Sequence, residues 1–145
     1  MTVPTPNITE SQTGLLAARK GLVMGVANDR SLAWGIARAA DAQGAELAFT
    51  YQGETLEKRV RPLAESVGSS LVLPCDVTDE DSVEATFAAV ADTWGSLDFV
   101  IHAIAYSDKE ELKGRYLDTS AKNFQSTLNI SCFSFTSLCR HAAPL

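Results

Sequence analysis

From Leu15 onward, short apolar runs rich in β-branched residues alternate with longer stretches whose apolar positions recur at helical spacing. That alternation belongs to strand–helix units stacked into a parallel sheet, and the chain holds four of them. Gly21–Val26 is apolar without interruption, as a central strand buried on both faces must be. A helix follows with Ala33, Ile36, Ala37 and Ala40 on one stripe and Gly44 at its C-terminal end. The second strand is Glu46–Tyr51. The next helix carries Leu56, Val60, Leu63, Ala64 and Val67, and Pro62 within it predicts a kink or a split into two pieces. Leu71–Cys75 is the third strand. Thr78 to Asp81 has the spacing of a capping box and heads a helix with Val83, Phe87, Val90 and Trp94 in phase, closed by Gly95. Leu97–Ile104 is the fourth strand, and Tyr106–Asp118 is a charged, irregular loop long enough to be functional. A last helix from about Thr119 to Ala142 gathers Phe124, Leu128, Cys132, Phe135 and Cys139 on one face.

Composition narrows the class of function. The 145 residues are 46% hydrophobic and 21% charged, enough apolar material for one core and too little charge for a disordered chain. Twelve basic against eighteen acidic side chains give a net charge of −6, which repels phosphate backbones and argues against nucleic acid. No apolar run reaches the roughly 20 residues of a membrane span. Met1–Gln12 has no apolar core of a signal peptide, so cytoplasm is the default address. Residues 1–14 are expected to form a flexible tail and 15–145 the folded part. Cys75, Cys132 and Cys139 are odd in number and lack C-x-x-C spacing, so reduced, half-buried thiols are expected rather than a disulfide framework or zinc site.

Candidate chemistry gathers where strands hand over to helices. The turn Gly25-Val-Ala-Asn-Asp-Arg-Ser31 opens the first helix, where free N–H groups and the helix dipole favour a diphosphate. Gly25 permits the tight turn, Ser31 offers a hydroxyl, and Gly35 lets the helix lie close to the sheet, although the spacing departs from G-x-G-x-x-G. Asp76, after the third strand, can accept the adenine amino group or serve simply as a carboxylate near a helix N-terminus. The fourth strand ends His102-Ala-Ile-Ala-Tyr106, small residues that admit a flat ring or a sugar. His102 itself reads as a hydrogen-bonded core group, with no metal site in view. The second strand ends in Gln52 rather than an acid. Gln52 can bond a ribose hydroxyl, while Lys58, Arg59 and Arg61 are placed to meet a 2′-phosphate, so the residues leave NADH and NADPH both open.

Taken together, Gly25–Gly35, Gly44–Gln52, Cys75-Asp-Val77 and His102–Tyr106 resemble the bacterial enoyl-acyl-carrier-protein reductases, the divergent branch of the short-chain dehydrogenase/reductase superfamily. The resemblance runs from about Leu15 to Leu145. It implies an α/β fold, a Rossmann-like doubly wound parallel sheet of strand order 3-2-1-4 with the later strands missing, so that 15–145 is the N-terminal part of one truncated NAD-binding domain. It implies NADH-dependent reduction of the 2,3 double bond of an acyl thioester in fatty acid biosynthesis, by a homotetramer acting on an acyl-carrier-protein-linked substrate. By the same resemblance Gly25, Ser31 and Leu32 meet the pyrophosphate, Gln52 the adenosine end, Asp76 and Val77 the adenine, Ile104 the nicotinamide ribose, and Ser107 the acyl substrate. Asn129 coincides with a proton-relay asparagine of many short-chain dehydrogenases that this branch often lacks.

The family's catalytic Tyr-x6-Lys pair is absent. Tyr106 and Lys113 copy its spacing in the wrong loop, and no catalytic residue is assigned. Hydride transfer leaves negative charge on the thioester oxygen, which needs such a donor. The chain alone is therefore expected to be inactive. It is also expected to be poorly soluble, with an unpaired edge on the fourth strand and an exposed Phe124–Cys139 face. A non-catalytic dinucleotide-binding module, or another short-chain dehydrogenase acting on a carbonyl, are the competing readings.

Overall fold

The computed structural model describes residues 14–145; all but the last residue of the expected tail lies outside the described residues. Four parallel strands, β1 (Lys20–Met24), β2 (Glu46–Tyr51), β3 (Val72–Pro74) and β4 (Phe99–His102), form one sheet in the order β3-β2-β1-β4. This is the expected order. Helices α1 (Leu32–Asp41) and α2 (Gly53–Ser66) cover one face, and α3 (Glu80–Trp94) with α5 (Ser134–Ala142) covers the other. Alternation along the strands assigns the two faces. Val23, Leu47 and Phe49 pack with Trp34, Ala37, Val60 and Ala64, whereas Leu22, Met24 and Ala48 pack with Val83, Phe87, Val90 and Leu138. The register Leu22↔Ala48 and Leu22↔Val100 puts β1 at the centre of the sheet.

Several element ends differ from the sequence pattern. β1 stops at Met24 rather than Val26 because Gly25 turns to φ +100, and a Cβ there would lie 2.0 Å from the Ala103 carbonyl oxygen. β4 is shorter than Leu97–Ile104, although Asp98 and Ala103 still donate to the Lys20 and Met24 carbonyls at 2.8 and 3.0 Å. α2 runs unbroken through Pro62. Pro62 and Lys58 are both exposed, so the carbonyl deprived of its N–H partner can be hydrated. α3 starts one residue later than the capping box requires: Asp79, not Thr78, is the N-cap and accepts from the Asp81 N–H at 3.1 Å. The Thr78 hydroxyl is spent elsewhere, on Asp76 at 2.7 Å.

The single last helix of the sequence reading is two helices. After a 3₁₀ turn at Tyr116–Asp118, α4 (Ala121–Leu128) is capped by Ser120, and a π turn at Asn129–Phe133 joins it to α5. Leu138 points into the core, with Ser134 and Ser137 also buried, while Phe124, Leu128 and Phe135 stay about half exposed. Cys132 and Cys139 are exposed and Cys75 is buried, so the thiols are free but not uniformly half-buried. The outer edge of β4 carries no strand among the described residues.

Candidate functional site

A cleft of about 530 Å³ opens at the carboxyl ends of all four strands, where an open α/β sheet places its ligand. Five of the sequence-predicted residues line it: Gly25 after β1, Gln52 after β2, Asp76 and Val77 after β3, and Ile104 after β4. Ser126 of α4 and Ile130 of the π turn line it too. Neither was marked by the sequence pattern, because a straight helical period gives no sign of a π turn.

Ser31, Leu32 and Ser107 stand outside this lining. Ser31 nevertheless organises the turn above it. Its Oγ accepts the N–H groups of Ala27 at 2.9 Å and Asn28 at 3.0 Å, which leaves the hydroxyl proton free to be donated. The Ser31 carbonyl takes the N–H groups of Trp34 and Gly35, and no protein acceptor meets those of Leu32 and Ala33 among the described residues. Two donors without a protein partner at the positive end of a helix are suited to an anion. Leu32 itself is an exposed side chain, so only its backbone is suited to a ligand.

At the ends of β2 and β3 the cleft is lined by a small hydrogen-bond network. Asp76 Oδ1 accepts from the Thr78 N–H at 2.9 Å and the Thr78 hydroxyl at 2.7 Å, and Oδ2 accepts from Gln52 Nε2 at 2.8 Å. The Thr78 hydroxyl holds the Asp76 carboxyl below the usual aspartate range, against the opposing effect of partial burial. Among the described residues no donor meets the Gln52 carbonyl oxygen, which can accept a hydroxyl. Of the candidate cations, Arg61 is bound to Glu57, and Lys58 and Arg59 are exposed without lining the cleft.

The remaining candidates are held in structural contacts. His102 is half-buried and lies edge-on to Phe135. Ser134 donates its proton to the Ile130 carbonyl at 2.6 Å, so the 2.7 Å contact with His102 has the ring Nε2–H as donor. Burial lowers the His102 pKa and favours this neutral ring. Ser107 is bound by Asn123 and Thr127 at 3.1 and 3.0 Å. Asn129 is exposed in the π turn, and Lys113 is paired with Glu110. No group of three metal-ligating side chains occurs among the described residues, and none of their helices is long and apolar enough to cross a membrane. A larger groove of about 700 Å³ between α1 and β4 is almost wholly apolar, with Ile36, Ala39, Phe99 and Ile101 in its walls, and it lies toward the amino ends of β1 and β4, away from the carboxyl ends that frame the cleft.

A family model described as enoyl-(acyl carrier protein) reductase matches residues 25–145. The chain belongs to that family. Within the reductase family it is 60% identical over 132 residues to "Enoyl-[acyl-carrier-protein] reductase [NADH] 2" of Rhizobium meliloti, covering 91% of this chain and 49% of the relative. It is 52% identical to the NADH enoyl-acyl-carrier-protein reductase of Rickettsia bellii, covering 92% and 51%. The reductase crystal structure from Anaplasma phagocytophilum, in complex with NAD, superposes with a TM-score of 0.88 at 59% identity, over 92% of this chain and 51% of that one. The Bacillus cereus reductase with NADP+ and an indole naphthyridinone matches at 46% identity with a TM-score of 0.88, over 91% and 52%. The chain spans about half the length of the curated relatives it matches.

Proposed function

We propose that this chain forms the dinucleotide-binding part of an NADH-dependent enoyl-acyl-carrier-protein reductase of fatty acid synthesis, and that residues 15–145 are the N-terminal portion of a single larger domain. The observation that carries this reading is the pairing of an open helix end with a fixed carboxylate around one strand-end turn. The unpaired N–H groups of Leu32 and Ala33 open α1 directly after the turn whose Gly25, Val26 and Ala27 line the cleft, and the fixed Asp76 carboxylate lines the same cleft after β3. The residues suit a dinucleotide. Gly25, Ser31 and the Leu32 backbone take the pyrophosphate, Gln52 an adenosine hydroxyl, Asp76 and Val77 the adenine, and Ile104 the nicotinamide ribose. Ser107 begins the acyl contacts.

Bound NADH would supply the hydride for the 2,3 double bond of the thioester. The chain's own residues bind and orient the dinucleotide; none offers the tyrosine–lysine pair that would stabilise charge on the thioester oxygen. The whole reductase is read as a cytoplasmic homotetramer, with an acyl-carrier-protein-linked enoyl chain as substrate.

Titrating the chain with NADH while following dinucleotide fluorescence tests the reading. Saturable binding is expected, with NADH oxidation on an enoyl thioester at least about 100-fold below that of an intact reductase, the loss that follows from removing one charge-stabilising donor. Absence of binding at millimolar NADH overturns it.

A further inference from the structure

We infer that Thr78 is a positioning residue for base recognition: with Gln52 it fixes the Asp76 carboxylate in the orientation that tells adenine from a base bearing a carbonyl in place of the amino group. This deepens the dinucleotide reading and rests on it.

The geometry is specific. Asp76 Oδ1 is filled by two donors from Thr78, the N–H at 2.9 Å and the hydroxyl at 2.7 Å, whereas among the described residues Oδ2 accepts only from Gln52. The backbone beneath is pinned as well, since the Asp76 N–H donates to Ser82 Oγ at 2.9 Å. One acceptor site on Oδ2 is thus left for a ligand in the cleft that Gln52, Asp76 and Thr78 line together. An amino group donates to that site. A carbonyl oxygen there would face the carboxylate with two acceptors and no proton between them. An aspartate is ionised, and therefore acceptor-only, at neutral pH, and the Thr78 hydroxyl bond lowers the Asp76 pKa further.

Thr78 also gives up a role to do this. The sequence spacing offers its hydroxyl as the helix cap, yet Asp79 caps α3 and the Thr78 hydroxyl turns back to Asp76. A side chain diverted from a stabilising cap to hold a neighbouring carboxylate marks that carboxylate's orientation as the feature being set.

The test compares reduced nicotinamide adenine dinucleotide with its reduced hypoxanthine analogue, titrated against the wild-type chain, Thr78→Val and Thr78→Ser, with circular dichroism verifying the fold. Thr78 is exposed, so the valine is tolerated. Wild type should favour the adenine form by on the order of tenfold, a difference of one good hydrogen bond. Thr78→Val should lose most of that preference while binding the hypoxanthine form as before, and Thr78→Ser should restore it. An unchanged ratio in Thr78→Val, or an equal weakening toward both dinucleotides, overturns the proposal. So does a wild type that binds both equally, which leaves the dinucleotide reading standing. Binding of neither dinucleotide brings down that reading and this inference together.

Discussion

The face of the sheet under α1 and α2 and the stretch from β4 through α5 both carry large apolar side chains, yet they end in different states. On the first, Val23, Phe49, Val60 and Ala64 are fully buried, and the strand ends above them have their polar groups satisfied locally, by Ser31 in the turn and by Thr78 and Gln52 around Asp76. On the second, Phe124, Phe133 and Phe135 are each about half exposed, β4 pairs on one side alone among the described residues, and the apolar groove of α1 opens beside it. The contrast teaches that the α1–α2 face closes its own core and ties its strand-end turns by local hydrogen bonds, leaving the Leu32 and Ala33 N–H groups open, while the opposite flank carries apolar surface that the described residues leave exposed.

Substitutions should grade accordingly. Phe49→Ala removes a ring with no solvent exposure, tilted against Trp34 at 6.1 Å between centroids. Urea unfolding should register a loss of about 3–5 kcal/mol, the range for deleting a core aromatic. Gly25→Ala comes next: φ +100 and the approach to Ala103 should cost about 2 kcal/mol and move the turn that leads to Ser31, so dinucleotide affinity should fall with it. Phe124→Ala, on the open flank, should change stability by less than about 1 kcal/mol and improve solubility. Equal costs for Phe49→Ala and Phe124→Ala would erase the contrast between the two regions.

The sheet was legible because its signal is redundant. Apolar β-branched runs, helical stripes and end-capping glycines all indicate the same units, and the strand order came with the family resemblance. What escaped was set by contacts the pattern does not encode. β1 ends where the Ala103 backbone presses on Gly25, a long-range approach that periodicity cannot show. Thr78 has the spacing of a cap but is claimed by Asp76. The π turn interrupts a stretch that reads as one helix; Ser126 before it and Ile130 within it reach the cleft, while Phe124, Leu128 and Phe135 stay about half exposed. The candidate site was legible in its strand-end members, Gly25, Gln52, Asp76, Val77 and Ile104, since topology alone brings strand ends together. Ser31, Leu32 and Ser107 lie outside the cleft lining: Ser31 shapes the turn beside it through Ala27 and Asn28, and Ser107 is held by Asn123 and Thr127, contacts that periodicity does not encode.

The central claim is that the first turn of α1 receives a diphosphate, and amide-resolved NMR tests it most directly. On adding NADH, the Leu32 and Ala33 N–H resonances should shift together with those of the Gly25 turn and of Asp76. Shifts confined to the apolar groove between α1 and β4, with Leu32 and Ala33 unmoved at saturation, would contradict the account.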